Sequence, residues 1–224
     1  MRKTLFTLSV DNYAPDIFAL TRPYMERYAQ KIGAEFHVIS ERKFPDYPIV
    51  YEKFQVYELG RGNDWNLFVD GDVLIHPDTY DITEHVKKDT VAQWGADFNF
   101  RWDHDDYFRR DGRHLSTCNW FTLTSDWTHD FWTPLQDMTL KEALSHIHPA
   151  QYELQRSMKT EHFIDDYVLS RNLARYGLRY LQLRDWDGFT IDKVPLLYHY
   201  FPRSNDEKLS MLRDLVASWD AKVR

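Results

Sequence analysis

The sequence predicts an α/β fold in which strands of a parallel, doubly wound sheet alternate with helices, and three observations predict it. Short apolar runs alternate with stretches of helical period from Leu5 to Ile75, a β-α-β-α-β order. The run Leu67-Phe68-Val69 is continuously apolar, as a strand covered on both faces is. Glycines at Gly33 and from Gly60 to Gly62 fall between the elements, where helices stop and the chain turns. With 224 residues, 43% of them hydrophobic, the chain has enough apolar material for the core of one domain over residues 1–224.

Leu5 to Val10 is the first expected strand. Asp16 to Ile32 follows as an amphipathic helix with Ile17, Leu20, Tyr24, Tyr28 and Ile32 on one face, ended by Gly33. Glu35 to Ser40 is a second short strand and Ile49 to Leu59 a second helix, which leads into the strand Trp65 to Val69. Pro77 and Asp78 then turn the chain into a strand at Val91 to Trp94. Asp97 to Arg113 is a polar segment with dense charge of both signs and no period, expected as a loop that closes over a ligand. Leu115 to Thr124 reads as a strand, Leu135 to Met158 as an inserted helical region, and Phe163 to Tyr176 as a helix stopped by Gly177. Late strands at Arg179 to Leu183 and Leu196 to Phe201 and a terminal helix at Asp206 to Trp219 complete the order.

The most informative stretch is the end of the third strand, Val69-Asp70-Gly71-Asp72-Val73. Side chains two apart on an extended chain point the same way, so Asp70 and Asp72 converge at the carboxyl edge of the sheet, where ligands of doubly wound folds bind. Hard carboxylate oxygens suit Mg²⁺ or Mn²⁺, which are commonly held by one or two carboxylates together with substrate phosphates. Gly71 carries no side chain, so a diphosphate can approach the backbone there. A surface Asp-Gly turn is the competing reading, but it leaves the second apolar run, Val73-Leu74-Ile75, unexplained. Without a cation the paired carboxylates repel, so removing Asp72 is expected to stabilise the metal-free chain.

Composition narrows the function classes. A net charge of −7 and pI near 5.8 exclude a nucleic-acid surface, which needs clustered basic charge. Aromatic residues make up 16% of the chain, enough to line a polar ligand site as well as a core. One cysteine, Cys118, forbids an internal disulfide and reads as a small buried thiol. No window approaches the length of a membrane span and the N-terminal apolar run is too short for a signal peptide, so a cytoplasmic protein is expected.

The run Tyr51-Glu52-Lys53-Phe54-Gln55-Val56-Tyr57-Glu58-Leu59 followed by Leu67 to Ile75 resembles the nucleotide-sugar glycosyltransferases of GT-A fold, whose Asp-X-Asp motif follows such a helix and strand. The resemblance is greatest to the retaining group that includes glycogenin and bacterial galactosyl- and glucosyltransferases. Ser9-Val10-Asp11-Asn12-Tyr13-Ala14 is similar to that group's segment for nucleotide base and ribose, His162-Phe163-Ile164-Asp165-Asp166-Tyr167 to the segment beside the donor sugar, and Leu196-Leu197-Tyr198-His199-Tyr200 to the late strand whose histidine completes the metal site. The resemblance implies a Rossmann-like mixed sheet with helices on both faces and a small helical insertion. It also implies Mn²⁺ or Mg²⁺ on Asp70, Asp72 and His199, and a UDP-sugar donor against Val10, Asp11 and Tyr13. A glycan or other hydroxyl acceptor, and transfer with retention beside the catalytic carboxylates Asp165 and Asp166, complete the picture. Where relatives carry His-X-X-Gly and then a lysine that grips the diphosphate, this chain has His199-Tyr200-Phe201-Pro202-Arg203, leaving Arg203 or Lys208 for that task. Where relatives often carry Asn-Thr-Gly near the acceptor, it has Ser116-Thr117-Cys118.

Each of these residues also has a structural reading. His199 on an apolar strand fits a core histidine, Asp165 and Asp166 fit helix caps, Asp11 fits a turn, and Lys53 is either an exposed lysine or one that reaches the nucleotide. Two other functions compete. A haloacid dehalogenase-type phosphohydrolase also uses Asp-X-Asp with Mg²⁺, but after its first strand, and a non-catalytic nucleotide-sugar binder needs only the fold.

Overall fold

In the computed structural model the residues described are 1–94, 120–147, 159–186, 188, 190–191, 194–200 and 203–222. The segment Asp97 to Arg113, Cys118, the start of the expected strand at Leu115 and the end of the helical region expected to reach Met158 lie outside them.

Six strands form the main sheet: β1 (Lys3–Leu8), β2 (Glu35–Ile39), β3 (Trp65–Val69), β5 (Thr90–Trp94), β6 (Phe121–Ser125) and β7 (Arg179–Gln182), in the order β2-β1-β3-β6-β5-β7. β1 runs parallel to β2 and β3, and β5 parallel to β7. β6 lies antiparallel between β3 and β5, which corrects the wholly parallel sheet expected from the alternation alone. Among the described residues β5 and β6 pair directly with each other. The mixed sheet is the one the resemblance implies.

Alternation along the central strands sends side chains to both faces. Leu5, Leu67, Val69 and Ala92 meet Met25, Tyr28 and Ala29 of the helix Pro15–Lys31 on one face. Phe6, Phe68 and Val91 meet Tyr167, Val168 and Leu169 of the helix Ile164–Arg175 on the other. Full burial of one such ring, Phe68, contributes about 1.5–3 kcal/mol. Leu20 and Tyr24, expected on the helix's core face, pack instead against Leu212 and Trp219 of the C-terminal helix Asn205–Lys222. Gly33 ends the first helix with a φ of 67°, a left-handed conformation that suits glycine.

A small second sheet positions the site. The apolar run after the acids supplies β4 (Leu74–Ile75), which pairs antiparallel with a late strand, β8 (Leu197–Tyr198), Leu74 opposite Tyr198. This register carries His199, the next residue of the late strand, back to the turn that holds Asp72. The expected second helix is a 3₁₀ helix at Ile49–Gln55 continued by one α turn, Val56–Leu59, and it has Lys53 on its inner side. A 3₁₀ stretch this long is uncommon, and it tightens the segment that delivers Lys53 under the sheet edge.

Candidate active site

At the carboxyl edge of β1 and β3 lies a cavity of about 540 Å³. Part of its lining is apolar and includes Val10, Tyr13, Ala14, Pro48, Ile49 and Val50. Another part is charged: besides the exposed Lys159 and Glu161, four carboxylates, of Asp70, Asp72, Asp165 and Asp166, face two ammonium groups, of Lys53 and Lys208, with His199 and His162 beside them. The sequence-predicted residues Val10, Tyr13, Lys53, Asp70, Gly71, Asp72, Asp165, Asp166 and His199 therefore line one cavity.

β3 ends at Val69, and the chain turns at once, the amide of Val73 donating to the carbonyl of Asp70 at 3.0 Å. The turn is pinned from two sides. Thr21 donates its hydroxyl to the Gly71 carbonyl at 2.6 Å, and the Asp70 amide donates to the Trp120 carbonyl at 2.9 Å. A Cβ on Gly71 would stand 2.8 Å from the Leu8 carbonyl oxygen and 3.4 Å from the Phe18 ring. The glycine is thus required first by the close approach of β1 and the first helix, although it also lines the cavity.

Lys53 is neither exposed nor an isolated reach toward a nucleotide. Its side chain is 3% exposed, and its ammonium lies 2.5 Å from Asp165 Oδ2 and 3.6 Å from Asp70 Oδ1. Burial disfavours its charge, but Asp165, Asp70 and Asp166 outweigh burial and raise its pKa above the ordinary value. Asp70 experiences the opposite balance: burial first, then the charges of Asp72 and Asp165, push its carboxyl up to about 6 against the pull of Lys53 and His199. A raised acid pKa means that the folded state holds a proton the unfolded chain releases. Asp70 therefore costs stability as pH rises from about 4 to about 6, and the cost persists above that. Asp70→Asn is accordingly expected to exceed the parent chain's stability by about 2 kcal/mol at pH 8 and to match it near pH 4. Urea denaturation at the two pH values checks this, and an equal difference at both would contradict the environment described for Asp70.

Asp72 has partners of its own. Its Oδ2 accepts from Lys208 Nζ at 2.5 Å and lies 3.2 Å from His199 Nε2. Burial opposes its ionisation, yet His199 and Lys208 more than offset burial and hold the carboxyl well below the usual range. This environment does not favour the stabilisation expected on removing Asp72: the Asp72 carboxylate has a close ammonium partner in Lys208, and the unfavourable share of the pair's repulsion falls on Asp70. His199 is braced by Trp120, whose ring centroid lies 4.2 Å from the imidazole.

Asp165 and Asp166 occupy the first turn of the Ile164–Arg175 helix, and both are buried. The capping explanation does not account for them, because Phe163 holds the cap position and no side chain bonds the helix end. Asp165 is instead committed to Lys53, while Asp166 lines the cavity. Two predicted binding residues fall elsewhere. Asp11 is absent from the cavity wall; it has a φ of 51° and pairs with Arg42 at 3.0 Å, and Arg42 in turn bonds the fully buried Glu52 at 2.7 Å. Asp11, Asn12 and Ala14 all adopt positive φ, strain that Arg42 helps to hold in the segment presenting Tyr13 and Ala14 to the cavity. Arg203 is 60% exposed, lies 3.8 Å from Glu207 and does not line the cavity; Lys208 does.

Sequence reasoning missed Trp120, Thr21 and His162. His162 lines the cavity while remaining exposed, and its pKa is lowered, by desolvation first, against the pull of Asp165. The signal for it was present, since it precedes Asp165 by one helical turn.

The donor set at the turn is chemically right for a hard divalent ion: two carboxylates and an imidazole, on a floor whose carboxylates outnumber its ammonium groups by two. The position against Asp72 already attracts a cation, that of Lys208. Among the described residues, however, no three His, Cys, Asp or Glu are disposed as a preformed metal cluster.

No protein-family model and no curated protein sequence matches the chain. Solved structures do. A glycosyltransferase involved in glycosylation of the major capsid of PBCV-1 is similar over 95% of this chain and 99% of its own, with 13% identity and a TM-score of 0.54. The galactosyltransferase LgtC, crystallised with donor and acceptor sugar analogues, is similar over 93% of this chain and 94% of its own, with 14% identity and a TM-score of 0.51. The chain has the GT-A fold of these proteins. No helix among the described residues is long and apolar enough to cross a membrane.

Proposed function

We propose that the chain is a glycosyltransferase that moves a sugar from a nucleotide diphosphate sugar, a UDP-sugar, to an acceptor hydroxyl with retention of anomeric configuration. The observation that carries this reading is the mixed lining of one cavity in a GT-A fold: apolar residues with an exposed aromatic, Tyr13, together with Asp70, Asp72 and His199. A base and ribose suit the apolar residues, and a diphosphate suits the charged ones.

Asp70, Asp72 and His199 would hold Mn²⁺ or Mg²⁺, which when bound supplies Lewis-acid charge to the leaving diphosphate. Lys53, between Asp165 and Asp70, holds the two carboxylates in place by offsetting the repulsion between them. Asp166, buried on the cavity wall, stabilises positive charge at the anomeric carbon as that carbon becomes oxocarbenium-like. In the retaining course the bond from anomeric carbon to phosphate oxygen breaks, the bond to the acceptor oxygen forms on the same face, and the acceptor proton passes to the leaving phosphate.

The GT-A fold removes the basis for the haloacid dehalogenase reading, whose acidic pair follows a first strand; here the first strand, β1, leads to Ser9 and Val10. A binder without catalysis is separated by assay. UDP-sugar cleavage, with or without added acceptor, is expected with Mn²⁺ and not with EDTA, and p-nitrophenyl phosphate should remain intact. An NMR reading of the new linkage from an α-linked donor is expected to show an α-product. A β-product would reassign Asp166 to deprotonating the acceptor, and UDP-sugar that binds without turnover would leave a binder.

A further inference from the structure

Lys208 is placed as no ordinary helix residue is. It lies in the first turn of the Asn205–Lys222 helix, which is fixed by a reciprocal cap: Ser204 Oγ accepts from the Glu207 amide at 3.3 Å and the Ser204 amide donates to Glu207 Oε2 at 3.0 Å. The helix is anchored below by Leu212 and Trp219 against the first helix. From this fixed base the Lys208 side chain, 8% exposed, crosses into the cavity floor and ends 2.5 Å from Asp72 Oδ2, the same oxygen that faces His199 Nε2. An ammonium in contact with that oxygen disfavours a divalent ion on the same carboxylate, because the two positive charges repel across a poorly solvated site. The ammonium sits on a flexible four-carbon stem, so it can leave Asp72 while its helix stays in place.

We infer that Lys208 is an exchangeable counter-ion: it neutralises Asp72 in the free protein, yields that carboxylate to the divalent cation, and transfers its charge to the incoming donor diphosphate. The inference rests on the nucleotide-sugar reading above and adds a thermodynamic consequence to it. Metal alone must displace a paired ammonium and leave it without a partner in a buried place, which weakens metal binding. A diphosphate arriving with the metal gives the ammonium a new anionic partner, so metal and nucleotide strengthen each other's binding, and by linkage they do so by the same factor. Lys53 cannot take this part, since its ammonium is committed to Asp165 and is 3% exposed.

Calorimetric titration of Mn²⁺ into the chain, alone and with saturating UDP, tests the exchange without requiring turnover. The parent chain is expected to bind Mn²⁺ at least about tenfold more tightly with UDP than without it. Lys208→Met, matched in length and without charge, should bind Mn²⁺ alone about tenfold more tightly than the parent and lose most of the gain from UDP. Lys208→Arg, which keeps the charge, should retain weak binding of Mn²⁺ alone. A folded Lys208→Met protein, verified by its circular dichroism, whose Mn²⁺ affinity equals or falls below the parent's would overturn the exchange while leaving nucleotide-sugar binding intact. A parent chain that binds neither Mn²⁺ nor UDP under any condition would overturn both.

Discussion

Replacing Lys53 with methionine is expected to cost about 3–5 kcal/mol of stability near neutral pH and to remove transfer activity. The ammonium is 3% exposed and faces three carboxylates, two of them at 2.5 and 3.6 Å. Methionine fills much of the same volume, so the loss comes from charge and not from a cavity. With the cation gone, the carboxyl of Asp70 rises further above its unfolded value, and Asp165 and Asp166 lose the charge that favoured their ionised forms. The sign follows from linkage: a carboxyl raised in the folded state loses stability as pH rises through the interval between its two pKa values. The deficit of Lys53→Met should therefore be smaller at pH 5 than at pH 8, as read by urea denaturation. Adding Asp165→Asn should restore part of the loss, because it removes the nearest unpaired charge. A deficit independent of pH, and indifferent to Asp165→Asn, would show that Lys53 acts through packing on Phe68, whose ring centroid it overlies at 5.3 Å.

How much of this was legible in the sequence depends on the range of the interactions involved. Local signals were reliable: the apolar run 67–69 and the stop at Gly33 placed β3 and the end of the first helix. The sheet edge of the paired aspartates was legible too, but not by strand period: β3 ends at Val69, and a turn closed by the Val73 amide on the Asp70 carbonyl, not an extended chain, brings both carboxylates to the cavity. Sheet order and the reversal of β6 were not local, because a strand's direction is decided by its neighbours and not by its own composition. The same limit applies within the site. Lys53 reads as an exposed helical lysine until the Ile164–Arg175 helix brings Asp165 against it from a position far along the chain. Gly71 reads as an opening for a ligand, whereas the atom nearest a side chain there is the Leu8 carbonyl oxygen. Asp11 and Arg203 carried suitable chemistry in suitable motifs, yet Arg42 and Glu207 are their observed partners. Lys208 was one of two candidates for a single task, and only the packing of the last helix on the first distinguishes it.

Asp72→Asn should lower kcat/KM about 10²- to 10⁴-fold, the rate equivalent of several kcal/mol of charge stabilisation in the transition state. Unlike a substitution of Asp70, it should also destabilise the free protein by about 1–3 kcal/mol, since Lys208 keeps its buried charge and loses the carboxylate 2.5 Å away. The two effects have separate origins and so can be separated. In the double variant Asp72→Asn/Lys208→Met no buried ammonium is left without a partner, and stability is expected to return to near that of the parent while activity remains lost. Thermal unfolding and Mn²⁺-dependent UDP-sugar cleavage, measured on the parent, both single variants and the double variant, give the complete cycle. If the double variant recovered activity along with stability, Asp72 would be an anchor for the C-terminal helix and the chemistry would lie with Asp70 and Asp166. If stability returned alone, the Asp72 carboxylate would have two tasks: partner of Lys208 in the free chain, and donor to the divalent cation once the sugar nucleotide has drawn Lys208 away.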